Sequence, residues 1–191
     1  MTETTLTPSR VWKQMTLDER HRVARAFWGD TEAAADQAQA AVLIAQQKKF
    51  RAKTVINLDL DRKARHLASM LTLPDAVVAR ALVVYHLAEQ RAMMGAFLDA
   101  LGIAHEEGLI QEDAVTPDPA KLNPAVMAIS GQCPVADVRL YLMTLLSQDP
   151  ETWGGLRAIV EGLRAAAVAP SAPWRASPEL AGTGGERRRE G

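Results

Sequence analysis

The sequence predicts an all-α fold: a single compact domain of seven or eight helices packed at varied angles around a central buried helix, with a disordered C-terminal tail. Three observations carry this expectation. Residues 73–110 form the longest nearly uninterrupted apolar stretch, and between Pro74 and Ala88 only Asp75, Arg80 and His86 are strongly polar. A helix drawn through them is apolar on every side and has to be enclosed by neighbours. Helix-start signals recur along the chain, and the one segment that alternates apolar and polar residues, 56–61, has no evident partner strand.

Residues 1–6 lack periodicity and are expected to be flexible. Thr7 and Pro8 open a short helix carrying Val11, Trp12 and Met15. Thr16 with Glu19 forms a capping box, in which the Thr hydroxyl accepts from the Glu N–H and the Glu carboxylate returns to the Thr N–H. The helix that follows ends at Gly29, with Leu17, Arg20, Val23, Ala26 and Phe27 on its inner stripe. Asp30 or Thr31 caps a long alanine-rich helix reaching Phe50, where small side chains allow close backbone approach. Residues 56–61 read as a short extended stretch, after which Asp59 caps a helix running to about Thr72.

The apolar post spans 74–101, with Pro74 in its first turn and Gly102 just past its end. At 1.5 Å per residue it makes a rod of roughly 40 Å, or two helices if the polar residues 89–91 break it. Beyond an acidic connection, starts follow at Asp118-Pro119, Asn123-Pro124, Cys133-Pro134 and Asp149-Pro150, and Gly154 and Gly155 weaken the first turns of the last helix. From Ala169 the composition turns to Pro, Ser, Gly and Arg, too poor in apolar residues to offset the entropy of ordering. The domain is therefore expected to span 7–168 and the tail 169–191, with Trp174 the one candidate to dock.

Charge is nearly balanced, 22 basic residues against 23 acidic, so the whole molecule has no attraction for a polyanion. The distribution is uneven. Residues 1–66 hold 12 basic and 8 acidic residues, and 67–191 hold 10 and 15. Cys133 is alone, which excludes an internal disulfide and a multi-cysteine zinc site and fits a reducing cytoplasm. With neither a signal-peptide pattern at the start nor an apolar run of membrane-spanning length, a cytoplasmic protein with no membrane partner is expected.

Motifs for chemistry are incomplete. His86 and Glu89 stand three apart on a helix, as metal ligands can, but nothing completes a di-iron set, and His86 reads first as a hydrogen-bonded core histidine. His105, Glu106 and Glu107 contain half of a zinc-deaminase pattern whose cysteine half is missing. Phosphate-binding glycine loops and a nucleophile elbow are absent too. No catalytic residue, metal ligand or cofactor is assigned; His86, Glu89, His105 and Glu107 remain pocket candidates.

The strongest charge feature is the window 48–65. Lys48, Lys49, Arg51, Lys53, Arg62, Lys63 and Arg65 face only Asp59 and Asp61, a net of +5 that attracts phosphates if both halves turn one way. Three functions follow in order. The first is a helical protein-interaction or adaptor protein without its own catalysis, self-associating as a homodimer through an apolar stripe of one or two helices, for which Ala34, Ala38, Ala41 and Ala45 are the candidates. The second is a nucleic-acid-binding module using 48–65, and the third is an enzyme or ligand-binding protein with a pocket near His86 and His105.

Overall fold

A computed structural model of the chain describes residues 5–111 and 115–168, and for 165–168 the backbone alone. The expected tail and Trp174 lie outside the described residues. Ten α-helices are described: α1 (Pro8–Gln14), α2 (Leu17–Gly29), α3 (Ala34–Lys48), α4 (Ala52–Ile56), α5 (Leu60–Ala68), α6 (Asp75–Glu89), α7 (Arg91–Leu101), α8 (Pro119–Ser130), α9 (Val135–Gln148) and α10 (Arg157–Val168). Two-residue strands β1 (His105–Glu106) and β2 (Leu109–Ile110) pair antiparallel between α7 and α8. No helix among the described residues is long and apolar enough to cross a membrane.

Helix count exceeds seven or eight because two expected continuities break. The 74–101 rod stops at Gln90, whose backbone at φ −129°, ψ 17° is no longer helical, so the post is two helices. The expected extended stretch at 56–61 is a corner between two helices instead: α4 ends at Ile56, the chain turns through 57–59, and α5 starts at Leu60. The helix after Asp59 also stops early, at Ala68, and the chain then turns so that Met70 can accept a 2.7 Å hydrogen bond from Trp12 Nε1. In the other direction, Pro124 begins no helix. It lies inside α8, which Asp118 opens through a hydrogen bond to the Ala120 N–H, and the buried stripe of Leu122, Ala125, Val126 and Ile129 carries the helix past the missing N–H.

Local signals elsewhere match in part: α3 starts at Ala34 with no cap from Asp30 or Thr31 and ends at Lys48, and Asp149-Pro150 opens a turn, α10 starting only at Arg157. Thr16 and Glu19 make the capping box in both directions, at 3.2 and 2.7 Å. Leu17 alone of the expected inner stripe of α2 is largely exposed. Asp59 accepts from the Arg62 N–H, and Gly102, at φ 74°, ends α7. Gly155 falls in a 3-10 turn ahead of α10, where a Cβ would come within 2.6 Å of Leu122. At the amino-terminal side Leu6 packs against the core.

The buried residues form two clusters. One gathers α1 to α6, and the other gathers α7, α8 and the 3-10 turn. Helix α9 belongs to both, giving Leu140 and Met143 to the first and Val138, Tyr141, Leu142 and Leu146 to the second. It buries nine residues against seven on α6, so the centre of the molecule is the α6–α9 pair. Between these helices His86 is wholly buried. Thr144 spends its hydroxyl proton on the Leu140 carbonyl (2.8 Å), so it accepts from His86 Nε2 (3.0 Å), which fixes the imidazole as the Nε2–H tautomer. Aromatic contacts continue outward from there, edge-on from Tyr85 to His86, His86 to Tyr141 and Tyr141 to Phe97 and tilted at 42° from Phe97 to Trp153, with centroids 5.3 to 6.1 Å apart.

Burial holds the His86 pKa down to about 3, from an ordinary 6.5. The unfolded chain therefore takes up this proton first, so stability is complete above pH 6.5 and is lost as pH falls from there toward 3. The loss runs at about 1.4 kcal/mol per pH unit, or about 2 kcal/mol at pH 5. Urea midpoints between pH 7 and pH 4 should show this fall in the wild type and a flatter profile in His86→Gln; equal slopes in both would refute it.

A candidate nucleic-acid interface

The structure separates the four pocket candidates. His86 faces α9, while Glu89, three residues on, is exposed. His105 belongs to the hairpin: its Nδ1 accepts from the Gly108 N–H at 3.2 Å, leaving Nε2 to donate to Asp99 at 3.2 Å. Glu107 and Gly108 both have positive φ, 49° and 87°, as a two-residue hairpin turn requires. Glu107 pairs with Arg91, and Gly95 leaves just enough room for the His105 ring, since a Cβ there would meet it at 3.2 Å. His86 and His105 thus serve different contacts. No group of three or more His, Cys, Asp or Glu among the described residues could hold a metal ion.

A groove of about 690 Å³ does exist, between the carboxyl-terminal ends of α2 and α6. Glu89 lines it, but neither histidine does. Four of its six charged groups are already committed: Arg22 donates to Tyr85 Oη and to Asp137, both at 3.0 Å, Arg25 lies 3.6 Å from Asp61, Arg91 pairs with Glu107, and Asp30 lies 3.5 Å from Arg80, while Glu32 and Glu89 balance the remaining positive charge by number alone. The lining neutralises itself and favours no class of ligand.

The alanine face divides. Ala41 and Ala45 are buried within the chain's own core, and only Ala34 and Ala38 remain on the surface, so the four do not form one free stripe. Helix α3 turns that side toward α4 and α6.

The basic window divides as well, and its division defines a site. Arg62 lies 3.2 Å from Asp59, and Arg65 pairs with Asp61, which also receives His21 and Arg25. Lys63 places its ammonium 5.3 Å from the centre of the Trp28 ring. Arg62 and Arg65 are thus paired within α5 and its cap, and Lys63 reaches across to α2. Lys48, Lys49, Arg51 and Lys53 are different: all four are exposed, and among the described residues none has a carboxylate partner. They crowd the elbow between α3 and α4.

The elbow is made by a backbone reversal. Both the Lys49 and Phe50 N–H groups return to the Ala45 carbonyl, and Lys49 takes the left-handed conformation at φ 57°, ψ 37° that usually falls to glycine after a helix. Phe50 is left 45% exposed at the tip. It meets His66 of α5 edge to face, at 5.9 Å and 81°, which draws the two halves of the basic window together. Partial burial, and then the nearby charges of Lys48 and Arg65, push the His66 pKa below its ordinary value. The ring is therefore neutral at pH 7. The result is one aromatic pair bordered by four unneutralised cations. His66 was not evident as a member of this site, because its contact spans the corner.

No protein-family model, curated protein or solved structure matches the chain.

A lysine in the left-handed region carries strain of about 1–2 kcal/mol that glycine escapes, at a smaller cost in unfolded-chain entropy. Lys49→Gly should therefore raise unfolding free energy by roughly 0.5–1 kcal/mol, seen as a higher urea midpoint. Lys49→Val should lower it. A fall with glycine would mean the elbow is not shaped this way.

Proposed function

We propose that the chain is a helical binding module, without catalysis of its own, that takes nucleic acid at the α3–α4 elbow. One observation carries the reading: Lys48, Lys49, Arg51 and Lys53 are exposed and unneutralised around an exposed aromatic, whereas seven arginines elsewhere among the described residues each hold a carboxylate. Phosphates bind where cations can release counterions, and cations already holding a carboxylate have less to gain. Local charge outweighs the near-zero net charge, because fields fall away within about 8–10 Å at physiological salt.

The protein-interaction reading, which the sequence ranked first, is a separate one and ranks second here because the chain's own core takes up Ala41 and Ala45. A homodimer remains compatible with it, although Ala41 and Ala45 would have to be replaced in the contact by exposed residues such as Ala38 and Val42. Its half-buried lone thiol, Cys133, suits the reducing cytoplasm.

Anisotropy of a labelled oligonucleotide tests the proposal. With four phosphate contacts, the logarithm of the binding constant should fall against the logarithm of salt concentration with a slope of roughly −3 for a single strand. Lys48→Ala and Arg51→Ala should each weaken binding and flatten that slope by about 0.7, whereas Arg62→Ala should change the slope little. Absence of binding at about 50 mM salt would end the reading.

A further inference from the structure

Resting on the elbow reading, we infer that the Phe50–His66 pair is a base-stacking platform that makes the site select single-stranded over duplex nucleic acid. Four features of the elbow point this way. Phe50 occupies the tip and is flanked at once by cations on both sides, Lys49 before it and Arg51 after it, with Lys48 and Lys53 a step further out. That order suits a strand whose phosphates and bases alternate. His66 touches Phe50 edge to face, at 81°, so the pair is braced without a neighbouring ring lying parallel over Phe50. Phe50 stays 45% exposed beside this contact, which leaves ring surface for a base to stack on.

The neutral state of His66 at pH 7 adds an aromatic surface and no further charge. The backbone adds the last feature. Reading a duplex by its grooves calls for a helix or a two-stranded ribbon that lies along the groove, but α4 has five residues, about 7.5 Å of helix at 1.5 Å each. The elbow is a corner. In a duplex, base faces are hidden inside the stack, and Phe50 would have only sugar and phosphate to touch; in a single strand those faces are free.

The probes are a labelled oligothymidylate, its duplex with oligoadenylate, and inorganic polyphosphate, which has the charge without the bases. The wild type should bind oligothymidylate about tenfold more tightly than the duplex. Phe50→Ala should lower oligothymidylate affinity by about tenfold or more, within the range that stacking contacts show on truncation, and leave polyphosphate affinity within about twofold. Phe50→Trp should keep or strengthen single-strand binding.

Phe50→Leu keeps an apolar side chain against His66 but removes the π face, so it should lose oligothymidylate affinity as Ala does. Recovery of wild-type affinity in Phe50→Leu would show packing alone at this position and overturn the inference. Equal affinity for strand and duplex would overturn it too, while leaving the elbow's phosphate binding intact. Failure of all three probes to bind at low salt would remove the elbow reading itself, and the platform with it.

Discussion

The hydrogen bond from His86 to Thr144 is the constraint around which the two halves of the molecule are arranged. A charged imidazole could not stand in that dry contact, and a neutral one with its donor on Nε2 fits because Thr144 has already given its proton to Leu140. The bond fixes α6 against α9 at the level where the two apolar clusters meet. Just beyond it the post stops: Gln90 leaves the helical conformation, its amide reaches the Tyr85 hydroxyl at 3.3 Å, and α7 departs into the second cluster. A straight continuation of α6 would have carried Phe97 and Leu98 away from Tyr141 and Leu122, with which they share that cluster.

Electrostatics then sort the surface. Carboxylates occupy the positions where helices must be held to one another. Glu19 closes its capping box with one oxygen and takes Arg139 of α9 with the other, and Asp61 gathers His21, Arg25 and Arg65 between α2 and α5. The Arg65 hydrogen bond is the chief reason the Asp61 carboxyl lies below the ordinary carboxylate range. Exposed pairs of this kind add little to stability one by one, but they silence cations as phosphate ligands. The elbow escapes because no acidic residue falls between Asp36 and Asp59. Its positive character is a matter of where carboxylates are missing more than of how many lysines are present.

Short-range information was legible in the sequence and long-range pairing was not. The all-α class, the Thr16–Glu19 box, the caps at Asp59 and Asp118 and the stop at Gly102 each depend on residues within a turn of one another. The division of the basic window rests partly on pairs inside it, Arg62 with Asp59 and Arg65 with Asp61, and partly on Trp28 beneath Lys63, which nothing within 48–65 encodes. Lys49 in the left-handed region was invisible for a different reason: a reader looks for glycine or asparagine there. The alanine stripe misled because alanine suits a dry contact equally well whether the partner is another copy or the chain's own α4 and α6. Pro124 misled because a proline that usually opens a helix can be overridden by a buried stripe on either side of it.

Shared ownership of α9 also sets the order in which the molecule can be completed during synthesis. The first cluster is built from residues near the amino terminus, yet Leu140 and Met143 close it. A nascent chain that has released α1 to α6 from the ribosome still shows the face of α6 that α9 will cover, and it goes on doing so while α7, the hairpin and α8 emerge. Domains generally fold as units, and apolar surface left open in the meantime invites association with the wrong neighbour. Waiting is therefore part of this topology, and a helix from late in the chain completes the part made first.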